Sequence, residues 1–190
     1  MMKRENGIVR LDEIGPVWVR RSRRAKHLNI HVRSSFQVWV VIPYGMSMRQ
    51  AEKMILTKRT WIEKQRECWR CREKRTRPAV MKMPKNPQKM IRHELKVFEE
   101  RYGYSVSQVS VRRQKTRWGS CSWKNDISLN VNIMRLPPAL REYVILHELV
   151  HTRIKNHGQS FWEMLEEICP QAKKRRELLS DFGWLLSDHD

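Results

Sequence analysis

The sequence predicts an α+β fold, with a β-rich region and a helix over residues 1–78 and a second, more helical domain over 79–190. Three observations predict it. Alternating and β-branched segments cluster before Pro43 and again between Val106 and Ile133. Stripes with a 3.6-residue period occupy most of the remainder. Residues 76–88 hold Pro78, Pro84 and Pro87 without any period, which marks a boundary.

In order along the chain, Ile14 to Arg20, Leu28 to Arg33 and Phe36 to Ile42 read as strands, with Ser34-Ser35 as a tight connection and Pro43 as the stop. Ser47 reads as an N-cap for a helix from Met48 to about Arg75, striped by Ala51, Met54, Ile55, Lys58, Trp61 and Ile62. A second helix spans about Pro87 to Tyr102 and is stopped by Gly103. Val106 to Arg112 reads as a strand, and Arg117 to Trp123 with Ile127 to Ile133 as a hairpin around Lys124-Asn125-Asp126. Leu136-Pro137-Pro138 starts a helix reaching about Lys155, since proline is tolerated in a first helical turn. Ser160 to Ile168 and Ala172 to Ser180 are the last two helices.

A chain of 190 residues suffices for one domain or a small domain with an appendage. Its 39 Lys+Arg against 20 Asp+Glu give a formal charge of +19, which attracts polyanions such as nucleic acid. Charge alone is equally compatible with a solvated basic surface. The opening residues carry no apolar stretch of the kind a signal peptide needs, and the longest apolar run, Val38 to Ile42, is too short to span a bilayer. The expectation is a cytoplasmic protein without a membrane span and with reduced thiols. Cys68 and Cys71 form a lone CxxC with no second pair at metal-binding spacing, so they read as ordinary thiols.

The chemistry concentrates in Tyr143 to Thr152, a helix apolar on nearly every face that nonetheless carries His147, Glu148 and His151. Burying an ionised carboxylate unpaired is costly unless a charge compensates it. His147 and His151 are four residues apart, so both rings share one helical face and reach a single zinc ion. Glu148 is offset by about 100° around the helix, where it addresses a water at the metal rather than the metal itself. His157, in Asn156-His157-Gly158 where the helix should end, is the nearest third ligand. Glu163, Glu166 and Glu167 on the following helix are its rivals. An array of this kind calls for zinc-dependent hydrolysis, with Glu148 as general base and then acid.

The motifs also resemble a known family. Arg113-Gln114-Lys115-Thr116-Arg117-Trp118-Gly119-Ser120-Cys121-Ser122 is followed by Ile127-Ser128-Leu129-Asn130, Leu136-Pro137, the helix Tyr143 to His151, and Asn156-His157-Gly158-Gln159-Ser160-Phe161-Trp162. The run resembles the YgjP-like metallopeptidases, relatives of the SprT and Wss-type zincins. Arg20 to Lys26 and Trp61-Ile62 resemble the N-terminal region of that family. The resemblance implies a zincin-like C-terminal catalytic domain, zinc on His147, His151 and His157, Glu148 as acid/base, and a peptide or protein substrate. Some members are described as nucleotide pyrophosphatases.

Zincins place an edge strand beside the cleft to pair with extended substrate, and the Arg117–Ile133 hairpin is the candidate here. Arg117 and Trp118 are candidate substrate-binding residues, although Arg117 also suits a structural ion pair. Cys121, Phe161 and Trp162 read as packing residues. Three basic clusters, Arg20 to Lys26, Arg112 to Arg117 and Lys173 to Arg176, would form a polyanion surface if they shared a face. Two further functions compete with a peptidase. A zinc-dependent nucleoside triphosphate pyrophosphohydrolase would want a glycine-rich phosphate loop, which the sequence lacks. A nucleic-acid-binding protein with structural zinc would want four closed ligands, which leaves Glu148 without a role.

Overall fold

The computed structural model describes residues 6–35 and 37–186. Phe36, the predicted start of a strand, and the opening residues 1–5 lie outside them. The chain divides into two compact units, Met1–Arg75 and Thr76–Asp190.

The first unit is a four-stranded sheet with two helices. β1 (Asn6–Leu11), β2 (Gly15–Ser22), β3 (Asn29–Val32) and β4 (Val38–Pro43) lie in the order β1-β2-β4-β3. The β2/β4 pair is parallel and the outer pairs are antiparallel. Alternation decides the faces. Val17, Val19, Val38, Val40 and Ile42 are buried in one core with Ala51, Ile55 and Ile62 of the helices. Their neighbours in sequence point the other way.

The predicted long helix is two: α1 (Met48–Thr57) and α2 (Arg59–Thr76). Ser47 caps α1 through a reciprocal capping box with Gln50. The break falls at Lys58, whose N–H turns back to the Ile55 carbonyl while the Thr57 hydroxyl bonds the Met54 carbonyl at 2.8 Å. Ala51, Ile55 and Ile62 are buried on both sides of the break, whereas Met54 and Trp61 of the predicted stripe are exposed. Strand β1 was not predicted.

The second unit packs helices against a small mixed sheet. α3 (Pro87–Tyr102) ends at Gly103, which takes the left-handed conformation (φ 64°) that only glycine adopts without strain. β5 (Gln108–Arg112), β6 (Gly119–Cys121) and β7 (Asp126–Asn130) lie in the order β5-β7-β6, with β5/β7 parallel and β6/β7 antiparallel. Strand β6 therefore stands at an edge. Where the predicted hairpin ran on to Ile133, the chain leaves β7 in a 3-10 turn over Val131–Arg135. Helices α4 (Pro138–Val150), α5 (Gln159–Ile168) and α6 (Ala172–Asp181) follow.

Helix α4 is the centre of this unit. Ile145, Leu146, Leu149 and Val150 are fully buried, and each large aliphatic side chain so buried contributes roughly 1.5–3 kcal/mol. Arg141 ties α4 to Glu94 of α3 at 2.8 Å, and Glu142 to Arg175 of α6 at 3.0 Å. The helix ends five residues before the predicted Lys155. The Thr152, Arg153 and Ile154 N–H groups turn back to Leu149 and Val150, and the Thr152 hydroxyl adds a bond to the Leu149 carbonyl at 2.7 Å. No helix among the described residues is long and apolar enough to cross a membrane.

Candidate metal centre

The early end of α4 swings the chain back over its own last turn. That return brings the His157 ring to the rings of His147 and His151. The His157 Nε2 atom lies 3.1 Å from His147 Nε2 and 3.1 Å from His151 Nε2. Two nitrogens each about 2.0–2.1 Å from a tetrahedral ion stand about 3.3–3.4 Å apart, so the spacing fits one shared cation.

The ring chemistry points the same way. His151 Nδ1 is 2.9 Å from the Ile154 carbonyl, which only accepts, so Nδ1 carries the proton and Nε2 presents its lone pair to the cluster. With His151 fixed in that tautomer, the one proton on a neutral His157 ring cannot satisfy every nitrogen that converges there. Burial, the neighbouring imidazoles and the Arg176 charge push His147 down to about 3. Burial also lowers His151 and His157. All three rings are thus neutral near pH 7, the form that binds a metal. These three side chains could hold a metal ion.

Phe161, fully buried on α5, is the wall behind the cluster. Its ring centroid lies 4.5–4.9 Å from all three imidazoles. Tyr143, one turn before His147, brings its hydroxyl to 3.4 Å from His147 Nδ1. Burial pushes that phenol up to about 12, so it stays protonated.

Glu148 is buried beside the histidines, only 6% exposed, and its Oε2 has no hydrogen-bond partner. Desolvation pushes its carboxyl up to about 8, against the pull of the Arg117 charge. Strand β6 presses against it. A Cβ at Gly119 would sit 2.6 Å from Glu148 Cγ and 2.6 Å from Oε1, so only glycine fits there with Glu148 where it stands.

A cleft of about 310 Å³ opens between β6, the end of α4 and the returning loop, and Glu148 and the three histidines line it. Trp123, 86% exposed, stands at its rim. Lys155 also lines it, with Nζ donating to the Asn125 side-chain oxygen (2.6 Å) and the Ser122 carbonyl (2.8 Å).

Among the residues singled out by sequence, Arg117 is exposed and reaches Glu148 by charge rather than by contact. Trp118 is half-buried and does not line the cleft; its carbonyl accepts from the Asn130 N–H at 2.7 Å. Glu166 caps the start of α6 through the Gln171 and Ala172 N–H groups, and Glu163 bonds Gln159. Gly119, Tyr143 and Asn130 stand within the sequence motifs, which assign them no role of their own. Asn130 is fully buried and donates to the Gln114 carbonyl at 2.6 Å and the Arg117 carbonyl at 3.0 Å, which shapes the loop before β6. An apolar strand ending in asparagine was the available signal for it.

Neutral imidazoles thus cluster beside a buried, unpartnered carboxylate and an edge strand, a set of groups suited to a metal-dependent hydrolase. The family described as YgjP-like, metallopeptidase domain, matches residues 82–182, just over half of the chain. The chain belongs to the YgjP-like metallopeptidases, and so is a metal-dependent peptidase acting on proteins or peptides. Among solved structures, the metallopeptidase zymogen abylysin of Pyrococcus abyssi is similar at 25% identity and a TM-score of 0.42, over 47% of this chain and 90% of its own. Comparison with curated proteins gives no match.

Proposed function

We propose that the chain is a zinc-dependent peptidase of the HExxH class, with His147, His151 and His157 as ligands and Glu148 as general base and acid. The observation that carries this reading is the convergence of three imidazole nitrogens beside a buried carboxylate that has no partner of its own. A bound zinc ion supplies Lewis acidity, activating water near pH 7 and polarising the scissile carbonyl.

The chain's own residues do the rest. The Ile154 carbonyl and Tyr143 hydroxyl orient His151 and His147 through the nitrogens that face away from the cluster. Phe161 keeps water from the back of the rings. Glu148, with Oε2 unoccupied, takes the proton of the attacking water and delivers it to the leaving amine. Burial holds the Glu148 carboxyl up at about 8, and a cation held by the three rings would favour its ionised form, the one that takes a proton. Strand β6 offers its free edge to an extended peptide. Trp123 at the rim suits contact with that peptide, a role proposed for it in place of Trp118. Arg117 stabilises negative charge that develops beside Glu148. The protein would act in the cytoplasm, in the company of nucleic acid, given its charge of +19.

Glu148→Gln should retain a full complement of zinc and lose hydrolysis of an unfolded protein substrate, whereas His147→Ala should lose the metal. Undiminished turnover by Glu148→Gln refutes the assignment. Nucleoside triphosphates offered alongside should remain intact.

A further inference from the structure

The outer face of the N-terminal sheet is not used by the proposed catalysis. Alternation turns Ile8, Arg10, Trp18, Arg20, His31 and Trp39 away from the core. Cross-strand pairing lines four of these in one row: Ile8 faces Trp18, Trp18 faces Trp39, and His31 faces Trp39. The two indoles are stacked, with centroids 6.0 Å apart and planes 17° from parallel, and both remain partly open to solvent.

Positive charge surrounds this row. The Arg33 guanidinium lies 4.7 Å from the Trp39 ring centre. Burial, and after it the like charge of Arg20, lowers the Arg33 pKa. Among the described residues, neither arginine has an acidic partner in an ion pair. From Pro16 to Ala51 the chain contains no Asp or Glu at all. Where β2 and β4 end together, at Ser22 and Pro43, Arg23 lies 5.2 Å over the exposed ring of Tyr44. A fold that only needed its sheet would cover an apolar row of this size or offset its charge. Here indoles and unpaired guanidiniums are interleaved on one open face.

We propose that this face binds a single strand of nucleic acid, its bases stacking on Trp18 and Trp39 and its phosphates meeting Arg20, Arg33 and Arg10. Unpaired bases expose the flat faces that indoles stack on, and a duplex hides them. The same face on a protein whose basic charge acts alone would accept any polyanion equally. This binding is independent of the metal centre.

The test is fluorescence anisotropy of the full-length protein with a labelled oligothymidylate of about 15 nucleotides, a duplex of equal length, heparin and phosphatidylserine vesicles as probes. The single strand should bind about tenfold or more tightly than the duplex, and Trp39→Ala should weaken the strand by about five- to tenfold while leaving the duplex unchanged. Arg20→Gln with Arg33→Gln should reduce the salt dependence of binding. Equal affinity for strand, duplex and heparin, a preference for vesicles, or a folded Trp39→Ala that binds as the parent overturns the proposal. A second measurement does not depend on the variants folding. Photo-crosslinking of 4-thiothymidine oligonucleotides to the unmodified protein should mark peptides bearing Trp18, Trp39 or Tyr44. Crosslinks confined to Arg112–Arg117 or Lys173–Arg176 contradict it.

Discussion

Burial holds the Glu148 carboxyl up at about 8 in the metal-free protein, and that shift has a consequence for stability. The folded state keeps the proton at pH values where the unfolded chain has released it. The contribution of Glu148 to stability is therefore full below 4.5 and is lost as pH rises through about 8. Glutamine has no such proton to lose. The thermal midpoint of metal-free Glu148→Gln should gain on that of the parent as pH is raised from about 5 to about 9. Saturating zinc should shrink the gain, because a nearby cation favours the ionised carboxylate. A midpoint difference that stays flat with pH contradicts this account. Gly119 is the complementary test. Gly119→Ala places a methyl 2.6 Å from Glu148 Cγ and must displace the carboxylate. Turnover should fall about a hundredfold, the scale expected for a displacement near 1 Å. Zinc content should not change. Neither effect is visible in sequence. The spacing of His147, Glu148 and His151 reveals a shared helical face, since helical geometry fixes it. The approach of Gly119 to Glu148 is made by strand β6 arriving from elsewhere in the fold, and no local pattern encodes it.

Strand β6 owes its position to the element that follows it. Asn130, at the end of β7, holds the Gln114 and Arg117 carbonyls with its side-chain N–H groups and accepts from the Asn132 N–H at 3.0 Å. Three bonds from one fully buried side chain thus fix the loop that delivers Gly119. Asn130→Ala should destabilise the protein by about 2–4 kcal/mol, because the buried Asn132 N–H and two partly buried carbonyls are left without partners. In urea this appears as a lower midpoint with an unchanged slope. An unchanged midpoint shows that the loop is held otherwise. The helices were legible wherever a stop was chemical. Gly103 ends α3 and Ser47 opens α1, each by a residue type suited to its backbone role. The break at Lys58 was hidden because the buried stripe of Ala51, Ile55 and Ile62 continues across it. The end of α4 at Val150 was hidden for a different reason. Thr152 to Lys155 includes no helix breaker, and the chain turns there through side-chain and backbone bonds to Leu149 and Val150. Strand β1 escaped notice because only Leu11 in it is fully committed to the core, while Ile8 is 52% exposed.

At the scale of the whole molecule, periodicity announced the mixed α+β class and composition the basic charge, and neither located that charge. Structure assigns it in parts. Arg20 to Lys26 belongs to the first unit, and the other two clusters belong to the second. There the Arg117 charge acts on Glu148, and the Arg176 charge acts on His147 and His157. The four cysteines are all free: Cys68 and Cys71 are exposed on α2, Cys121 is half-buried and Cys169 is buried. Cys121 also lines the cleft, so a thiolate is the obvious competitor to an all-imidazole site. X-ray absorption spectroscopy of the zinc-loaded full-length chain decides between them. The account predicts a first shell of nitrogen and oxygen at about 2.0–2.1 Å, with the scattering signature of three imidazoles. A sulfur scatterer at about 2.3 Å, or fewer than three imidazoles, would contradict it.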